Sequence, residues 1–366
     1  MSSSAQAPPR PPKKTVLVTG AGGYIGFAVS RAFARAGWDV YGLIRRADAA
    51  DALLAEEITP LIGAISADLS FLDAFLAQPS TRAFDVVVSC TEQLPFDTHW
   101  AHVSALITAV AQHYHAKGNP GKPLVLVSSG CKDYGQTARH GDAGLTPHIE
   151  TSPLNPDAFL ATRTQCTLQV FSEADKTLYD AAVLRPTPLF GYGGSYYGVL
   201  IEAVRLFRDS AVELKVPGDS ANIYHGCHID DCAEAYVALA THPDRARVSG
   251  ECFNISAYRY ETVGEILSAL AAEYGVRGGI ATAPLAEVTR PELRALGAVL
   301  GYTQWVDSAK IRDLTGWTDK RRLFSDNTRA YRLAYEAAAR AGDAGVKRIS
   351  ERVAGWAALG LSFEKK

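Results

Sequence analysis

Short apolar runs alternate with helical stretches through the first half of the chain. The runs are rich in Val, Leu and Ile, and they read TVLVTG, DVYGLI, PLIGAI, DVVVSC, PLVLVSS and AAVLRP. Most are apolar at consecutive positions, which is typical of strands that are covered by helices on both faces. The pattern predicts an α/β fold in which residues 14–186 form a doubly wound parallel sheet of the Rossmann type.

The regular alternation ends after the sixth run. A loop rich in Gly and Tyr, PTPLFGYGGSYYG, follows, and then mixed elements that end in Ala-rich helices. We expect residues 187–366 to form mainly a smaller C-terminal substrate-binding lobe, with residues 225–240 and 251–256 returning to the Rossmann core. Residues 1–13, rich in Pro and Ser, are expected to form a disordered leader.

Composition and charge narrow the class of protein. The 366 residues are 47% hydrophobic, and 37 Lys and Arg stand against 39 Asp and Glu. Without a basic block or a long apolar run, we expect neither a nucleic-acid nor a membrane partner. The scattered cysteines lack metal-binding or redox spacings, so no metal is expected. We expect a cytoplasmic homodimer that binds a small-molecule substrate.

The first run leads directly into TGAGGYIG and then into the helical pattern FAVSRAFARAG. Gly20, Gly23 and Gly26 have the spacing of a dinucleotide-binding turn, where the backbone turns sharply and approaches a pyrophosphate. Tyr24 and Ile25 then begin a helix whose N-terminal N–H groups attract phosphate. The segment predicts a dinucleotide cofactor.

The end of the second run indicates which dinucleotide is bound. An NAD-preferring site usually has a carboxylate there, which binds the ribose hydroxyls. This chain instead has Ile44, followed by Arg45 and Arg46. A guanidinium can bind a 2′-phosphate through charge-assisted hydrogen bonds, so NADP(H) is the expected cofactor. The alternative is that the arginines only solvate a strand end.

Further cofactor contacts are expected at the ends of later strands. Asp68, at the end of the third strand, is placed to bind the adenine amino group, although it could instead cap the following helix. Leu69, Cys90 and Pro186 complete the expected cofactor site.

Several motifs occur in the order found in one known family: TGAGGYIG, SADL, ETSPLNP, LRPTPLFG, HIDDCAEAY, GECFNIS and DSAKIRDLTGW. Over nearly its whole length, the chain resembles the extended short-chain dehydrogenase/reductases of the NAD-dependent epimerase/dehydratase type. The resemblance implies a nicotinamide bound across the carboxyl edge of the sheet and a substrate held by the C-terminal lobe.

The resemblance also implies a catalytic set that this sequence alters. The family uses a Tyr-x-x-x-Lys pair on a helix, in which the Tyr hydroxyl transfers a proton. Counted back from Arg185 of the LRP strand, the pair falls on Phe159 and Arg163. A phenyl ring has no proton to transfer, and a guanidinium with a pKa above about 12 cannot relay one. Arg163 can still bind ribose oxygens.

The loop after the fifth strand offers substitutes. The family has a Ser or Thr where Gly130 stands, which leaves Ser129 or Ser128 one or two places earlier. Gly130, Lys132 and Tyr134 have a spacing similar to that of the plant progesterone reductase and iridoid synthase group. In that group, a loop lysine supports reduction of an activated carbon–carbon double bond. The alternative is that Lys132 is only a solvated loop charge.

The loop GYGGSYYG offers a phenol. Tyr192, with Tyr196 and Tyr197 as alternatives, lies where the substrate loop of the family begins. These tyrosines could equally anchor a mobile loop by packing.

Three functions stay open at this point. The first is an NADP(H)-dependent oxidoreductase that reduces a small carbonyl or enone substrate. The second is a redox-silent NADP(H)-binding sensor or scaffold. The third is a sugar-nucleotide epimerase-like enzyme. The missing tyrosine is hardest to reconcile with the third function, because that chemistry must remove a proton from an alcohol.

Overall fold

The computed structural model describes residues 13–172 and 176–358. The expected leader, residues 1–13, lies outside the described residues except for Lys13. The strands are β1 (Thr15–Thr19), β2 (Asp39–Ile44), β3 (Thr59–Ile62), β4 (Val86–Ser89), β5 (Leu124–Ser128), β6 (Asp180–Pro186), β7 (Leu189–Phe190), β8 (Leu214–Pro217), β9 (Ile223–Tyr224), β10 (Cys227–His228), β11 (Glu251–Ile255), β12 (Glu261–Thr262) and β13 (Ile280–Ala283).

Helices follow most of the long strands. They are α1 (Tyr24–Arg35), α2 (Ala50–Leu54), α3 (Ser70–Leu76), α4 (Phe96–Ala116), α5 (Ala158–Leu168), α6 (Tyr197–Arg205), α7 (Ile229–Thr241), α8 (Val263–Tyr274), α9 (Pro291–Arg294), α10 (Gly297–Leu300), α11 (Ala309–Thr315), α12 (Thr328–Arg340) and α13 (Ala344–Ala358). Within residues 13–172 and 176–358, none of these helices combines the length and the hydrophobicity that crossing a membrane requires.

One parallel sheet organises the fold. Its strand order is β11-β6-β5-β4-β1-β2-β3, and every neighbouring pair is parallel. Short two-stranded pairings join β10 to β7, β12 to β9 and β13 to β8. The doubly wound Rossmann-type sheet that the apolar runs predict is therefore confirmed.

Strand β1 shows why the runs are apolar at consecutive positions. Val16 and Val18 face a core that includes Val29 of α1 and Tyr236 of α7. Leu17 faces the opposite core, which includes residues of α4. Because side chains alternate between the two faces of a strand, a sheet covered on both sides needs apolar residues at each position.

The second half of the chain contributes to two cores. Two segments of the second half belong to the Rossmann core. Helix α7, which overlaps residues 225–240, packs on α1. Strand β11, within residues 251–256, pairs with β6 of the central sheet. A separate core lies in the C-terminal lobe and contains Leu200, Leu267, Leu300, Tyr335 and Val353. These residues come from α6, α8, α10, α12 and α13.

The third strand is shorter than the sequence pattern suggests. PLIGAI predicts a strand through Ile65 with Asp68 at its end, but β3 ends at Ile62. Gly63 follows it with the ring of Phe71 packed so closely that a Cβ on Gly63 would lie 2.3 Å from that ring. The chain leaves the sheet here, and Asp68 lies in the segment that leads to α3.

Candidate active site

The glycine turn after β1 has a geometry that only glycine fits. Gly20 has φ +68, and a Cβ there would lie 2.8 Å from the carbonyl oxygen of Cys90. A Cβ on Gly26, in the first turn of α1, would lie 2.2 Å from the carbonyl oxygen of Gly20. The N-terminus of α1 is thereby held against the end of β1, as a dinucleotide turn requires.

The start of α1 is open to an anion. Gly23 stands before the helix, and no side chain caps it. The N–H groups of Tyr24 and Ile25, in the first turn, have no partner within the helix. An anion is stabilised at such a helix end. The side chain of Tyr24 points elsewhere, since its hydroxyl donates to the carbonyl oxygen of Gly191 at 2.7 Å.

The residues at the end of β2 fit the expected ribose end of the site. Ile44 is buried, and Arg45 and Arg46 are exposed. Arg46 donates to Asp48 at 2.9 Å, whereas Arg45 forms no hydrogen bond or ion pair with another described residue. Arg45 can therefore bind a phosphate group without first breaking an ion pair, whereas Arg46 would have to leave Asp48.

The other expected cofactor residues lie around the same sheet edge or near it. The exposed carboxylate of Asp68 accepts a 2.9 Å hydrogen bond from the N–H of Ser70, and this bond lowers the pKa of Asp68. The N-cap of α3 is Leu69 and not Asp68, so the capping alternative is wrong in that form, although Asp68 does accept from the first N–H of the helix. Adenine binding by Asp68 and any cofactor role of Leu69 stay predictions. Burial raises the pKa of Cys90, directly after β4, to about 12, so its thiol is neutral. Pro186 ends β6 beside Ile255 of β11.

Phe159 and Arg163 lie one turn apart on α5. Phe159 is 47% exposed, and its ring packs edge-to-face on Phe96, with centroids 6.2 Å apart. A Cβ on Gly130 would lie 3.6 Å from Nη2 of Arg163. The two positions that the motif spacing predicts for the family's catalytic residues, in the loop after β5 and on α5, are therefore neighbours in space.

A buried carboxylate that sequence reasoning missed organises this region. Asp133 is 1% exposed and accepts four hydrogen bonds. The donors are Ser129 Oγ at 2.6 Å, Arg163 Nη2 at 2.6 Å, Thr164 Oγ1 at 2.8 Å and Arg185 Nε at 3.2 Å. Asp133 balances two guanidinium groups and accepts the hydroxyl proton of Ser129. A catalytic role for Ser129 stays a prediction.

Tyr134 is a buried residue in the loop after β5. It is 2% exposed, and its ring stacks on His148. Its hydroxyl donates to Asn254 Oδ1 at 2.8 Å and accepts from Arg185 Nη1 at 2.9 Å. Both hydrogen bonds are buried, so we do not place Tyr134 among the residues that contact substrate.

Lys132 lies against the start of α5. Its Nζ is 4.5 Å from the centroid of the Tyr302 ring, and its electrostatic neighbours include Asp157 and Arg163. Burial lowers the pKa of Lys132. A lysine in open solvent would show neither the ring contact nor the burial, so the solvated-charge alternative does not describe Lys132.

The loop tyrosines separate in the structure. Tyr192 donates to Asp230 at 2.7 Å, and its ring lies 5.1 Å from the guanidinium of Arg31, on the α1 and α7 side. Tyr197 is 1% exposed within the C-terminal lobe. Tyr196 accepts a 3.1 Å hydrogen bond from Arg352 Nη1.

Glu92, in the segment after β4, was also missed by sequence reasoning. Its Oε2 lies 3.7 Å from Arg163 Nη1, and it is an electrostatic neighbour of Tyr196 and Arg352. A single exposed glutamate gives no signal in one sequence, because its neighbours come from distant segments. Glu92, Arg163, Tyr196 and Arg352 form the polar cluster that we call the cleft cluster.

Comparison with protein families places this geometry in a known group. A model of the NAD dependent epimerase/dehydratase family matches residues 16–256. The chain belongs to this family. The resemblance inferred from the motifs is therefore confirmed, and the matched residues include the glycine turn around Gly20 and Gly26.

Two curated proteins illustrate the family relationship. The spore coat polysaccharide biosynthesis protein SpsK of Bacillus subtilis (strain 168) is 26% identical over 274 residues, which cover 71% of this chain and 84% of that protein. The NAD-dependent epimerase/dehydratase ALT6 of Alternaria alternata is 25% identical over 293 residues, with 70% and 82% covered.

Solved structures share the fold of this family member. The dTDP-glucose 4,6-dehydratase of Bacillus anthracis in complex with NAD matches with a TM-score of 0.67 and 15% identity, covering 92% of this chain and 99% of that one. The UDP-glucose 4-epimerase of Stenotrophomonas maltophila, with NAD and a formylated UDP-arabinopyranose, matches with a TM-score of 0.65 and 18% identity, covering 90% and 99%.

Proposed function

We propose that the protein is a nicotinamide-dinucleotide-dependent enzyme of the epimerase/dehydratase type that acts on a nucleotide-activated sugar. The observation that carries the proposal is the intact glycine cradle, in which a Cβ at Gly20 or Gly26 would collide with backbone. It supports dinucleotide binding despite the change at Phe159. The sugar-nucleotide substrate is supported by a relative named for polysaccharide biosynthesis and by structural neighbours that hold UDP-sugars.

The residues of the cradle fit a dinucleotide. The N–H groups at the start of α1 would bind the pyrophosphate, and Arg163 would bind ribose hydroxyls while Asp133 fixes its orientation. The bound cofactor would supply or accept the hydride. Phe159 contributes an apolar wall beside Phe96, so the proton of the reacting oxygen must be exchanged by another group.

We further propose NADP(H) as the preferred dinucleotide, although neighbouring structures contain NAD. The support is local: Ile44 gives no acceptor for a free 2′-hydroxyl, and Arg45 is exposed without a partner among the described residues. A 2′-phosphate would gain a charge-assisted contact that NAD(H) cannot make.

A second candidate is the reduction of a small carbonyl or enone by NADP(H). It is favoured by one observation, the burial of the Lys132 ammonium beside Tyr302, with Arg163 as an electrostatic neighbour. A donor held in this way could stabilise an oxyanion that forms as hydride reaches carbon.

Cofactor titration followed by substrate panels tests these proposals. We expect submillimolar binding of NADPH, and turnover of at least one of UDP-glucose, UDP-glucuronic acid and dTDP-glucose with bound cofactor. Turnover of ketones or enones alone, lost by about 100- to 1000-fold in Lys132→Met, would favour the second candidate. Tight cofactor binding without turnover on either panel would contradict both and leave the sensor or scaffold function.

A further inference from the structure

The proposed chemistry needs a proton-transferring group, and the C-terminal lobe brings a phenol towards Arg163. Tyr196 directly precedes α6, and its hydroxyl is held by the guanidinium of Arg352 at 3.1 Å. Arg163 and Glu92 are electrostatic neighbours of this phenol. Glu92 joins the two sides of the cleft cluster, because it also lies 3.7 Å from Arg163.

Close packing holds the Tyr196 loop against the C-terminal helix. A Cβ on Gly193 would lie 2.9 Å from Oδ1 of Asp343, and a Cβ on Gly345 would lie 3.1 Å from Cα of Gly194. Val353, next to Arg352 on α13, is 1% exposed in the core of the C-terminal lobe. The loop and the helix are therefore fixed relative to each other, and the contact between Tyr196 and Arg352 follows from that packing.

Helix α13 lies outside the part of the chain that the family model matches, which ends at residue 256. The family's own proton relay is altered at Phe159, whereas the phenol and cation of the cleft cluster come from a loop and from this later helix. A phenol beside a cation has the chemistry of the Tyr and Lys pair that the sequence lacks.

We propose that Tyr196 exchanges the proton of the reacting substrate oxygen and that Arg352 positions its hydroxyl, an inference that rests on the proposed function. In the oxidation direction, the substrate C–H bond breaks and its electron pair leaves with the hydride to the nicotinamide. The O–H proton passes to the Tyr196 phenolate as the carbonyl forms. In the reduction direction, the phenol returns that proton, and Arg352 keeps its own protons throughout.

Besides burial, three charged groups act on the ionisation of this phenol: Arg352 on α13, Glu92 after β4 and Arg163 on α5. Burial raises the pKa of Tyr196, and Arg352 and Arg163 act in the opposite direction. At neutral pH the hydroxyl is therefore protonated and ready to donate to a carbonyl oxygen, whereas in the oxidation direction it must first release its own proton to solvent to give the phenolate. Removing Arg352 should raise the pKa further.

Single-turnover hydride transfer with UDP-glucose, UDP-glucuronic acid or dTDP-glucose, followed at 340 nm, tests the assignment. Tyr196→Phe should slow transfer by about 100- to 1000-fold, since general acid–base groups contribute on this scale. Affinity for NADPH and the unfolding midpoint should stay near wild type. Tyr192→Phe tests the competing tyrosine, and Tyr258→Phe, at a 63% exposed position, is the matched control.

The pH dependence separates a positioning role for Arg352 from a structural one. Arg352→Gln should move the limb of the rate profile that reports the phenol to higher pH, and Arg352→Lys should return it towards the wild-type position. A structural defect would lower the rate without moving the limb.

The outcomes distinguish the two proposals. If the wild-type protein turns over a sugar nucleotide and Tyr196→Phe keeps that rate within a few-fold, Tyr196 is not the proton-transferring group. A large loss in Tyr192→Phe with none in Tyr196→Phe would overturn the assignment in the same way. If the wild-type protein turns over none of the three sugar nucleotides, the proposed function fails and this inference fails with it.

Discussion

The carboxylate of Asp133 lies 2.6 Å from the guanidinium of Arg163, the residue that the motif spacing predicts at the position of the family's lysine. Arg185, which is 2% exposed, shares the same carboxylate. A buried counter-charge thus holds the Arg163 guanidinium in place. Arg163 therefore stays positively charged there, because a guanidinium, unlike a lysine ammonium, does not lose its proton in a protein.

Asp133→Asn should destabilise the protein strongly. The substitution leaves two largely buried guanidinium groups without their shared carboxylate, and breaking a buried ion pair from one side costs about 3–5 kcal/mol. Urea unfolding measures the loss. Asp142→Asn, which removes an exposed partner of Arg139, is the control and should cost less than about 1 kcal/mol. An equal loss of unfolding free energy in the two variants would show that the Asp133 carboxylate does not stabilise the two guanidinium groups.

Arg45→Ala should separate the two dinucleotides. The variant should lose about 1.5–3 kcal/mol of NADPH affinity, because a charge-assisted contact to the 2′-phosphate disappears, and little NADH affinity. Isothermal titration of both cofactors measures the difference. Arg46→Ala should lose less, since Arg46 already pairs with Asp48. Matching losses of NADPH and NADH affinity in Arg45→Ala would refute the NADP(H) preference.

Gly26→Ala should abolish cofactor binding. Its Cβ would lie 2.2 Å from the carbonyl oxygen of Gly20, so α1 must move away from the phosphate-binding turn. Gly355→Ala is the matched control, because nothing lies within 4 Å of a Cβ on Gly355 in helix α13. That control should bind cofactor normally and gain a little stability, up to about 1 kcal/mol, from the helix propensity of Ala. Normal NADPH binding by Gly26→Ala would contradict the close packing of the cradle.

His225 should make the fold sensitive to acid. Burial lowers its pKa from 6.5 to about 4, and its neutral ring bonds the carbonyl oxygen of Ala257 and accepts from the N–H of Val306. Between about pH 6.5 and about pH 4, His225 is protonated in the unfolded chain but stays neutral in the folded chain. Stability therefore falls as pH drops through this window, by about 2 kcal/mol between pH 7 and 4.5.

Urea unfolding at pH 7 and at pH 4.5 measures that contribution. In His225→Gln, the difference between the two pH values should shrink by about 2 kcal/mol, while His140→Gln, at an exposed position, should leave it unchanged. An undiminished pH dependence in His225→Gln would mean that other groups cause the acid sensitivity.

The sequence alone determined the fold and the glycine turn that follows β1. Runs such as TVLVTG carry the two-faced apolar pattern in consecutive residues, because strand geometry alternates side chains locally. The glycines at positions 20 and 26 could likewise be predicted from the sequence. A Cβ at either position would contact backbone within the same strand–turn–helix unit or next to it. The predicted change at Phe159 and Arg163 rests on the spacing between α5 and the next strand, and it stays a prediction.

Only the tertiary structure decided which polar groups meet in the cleft. Asp133 reads as an ordinary loop residue, yet its partners lie 30 and 52 residues away, at Arg163 and Arg185. Tyr192 and Tyr196 are equivalent in sequence, but one bonds a residue 38 positions away and the other a residue 156 positions away. Periodicity follows from local backbone geometry, whereas these contacts arise when separate elements pack, and a single sequence holds no local record of that packing.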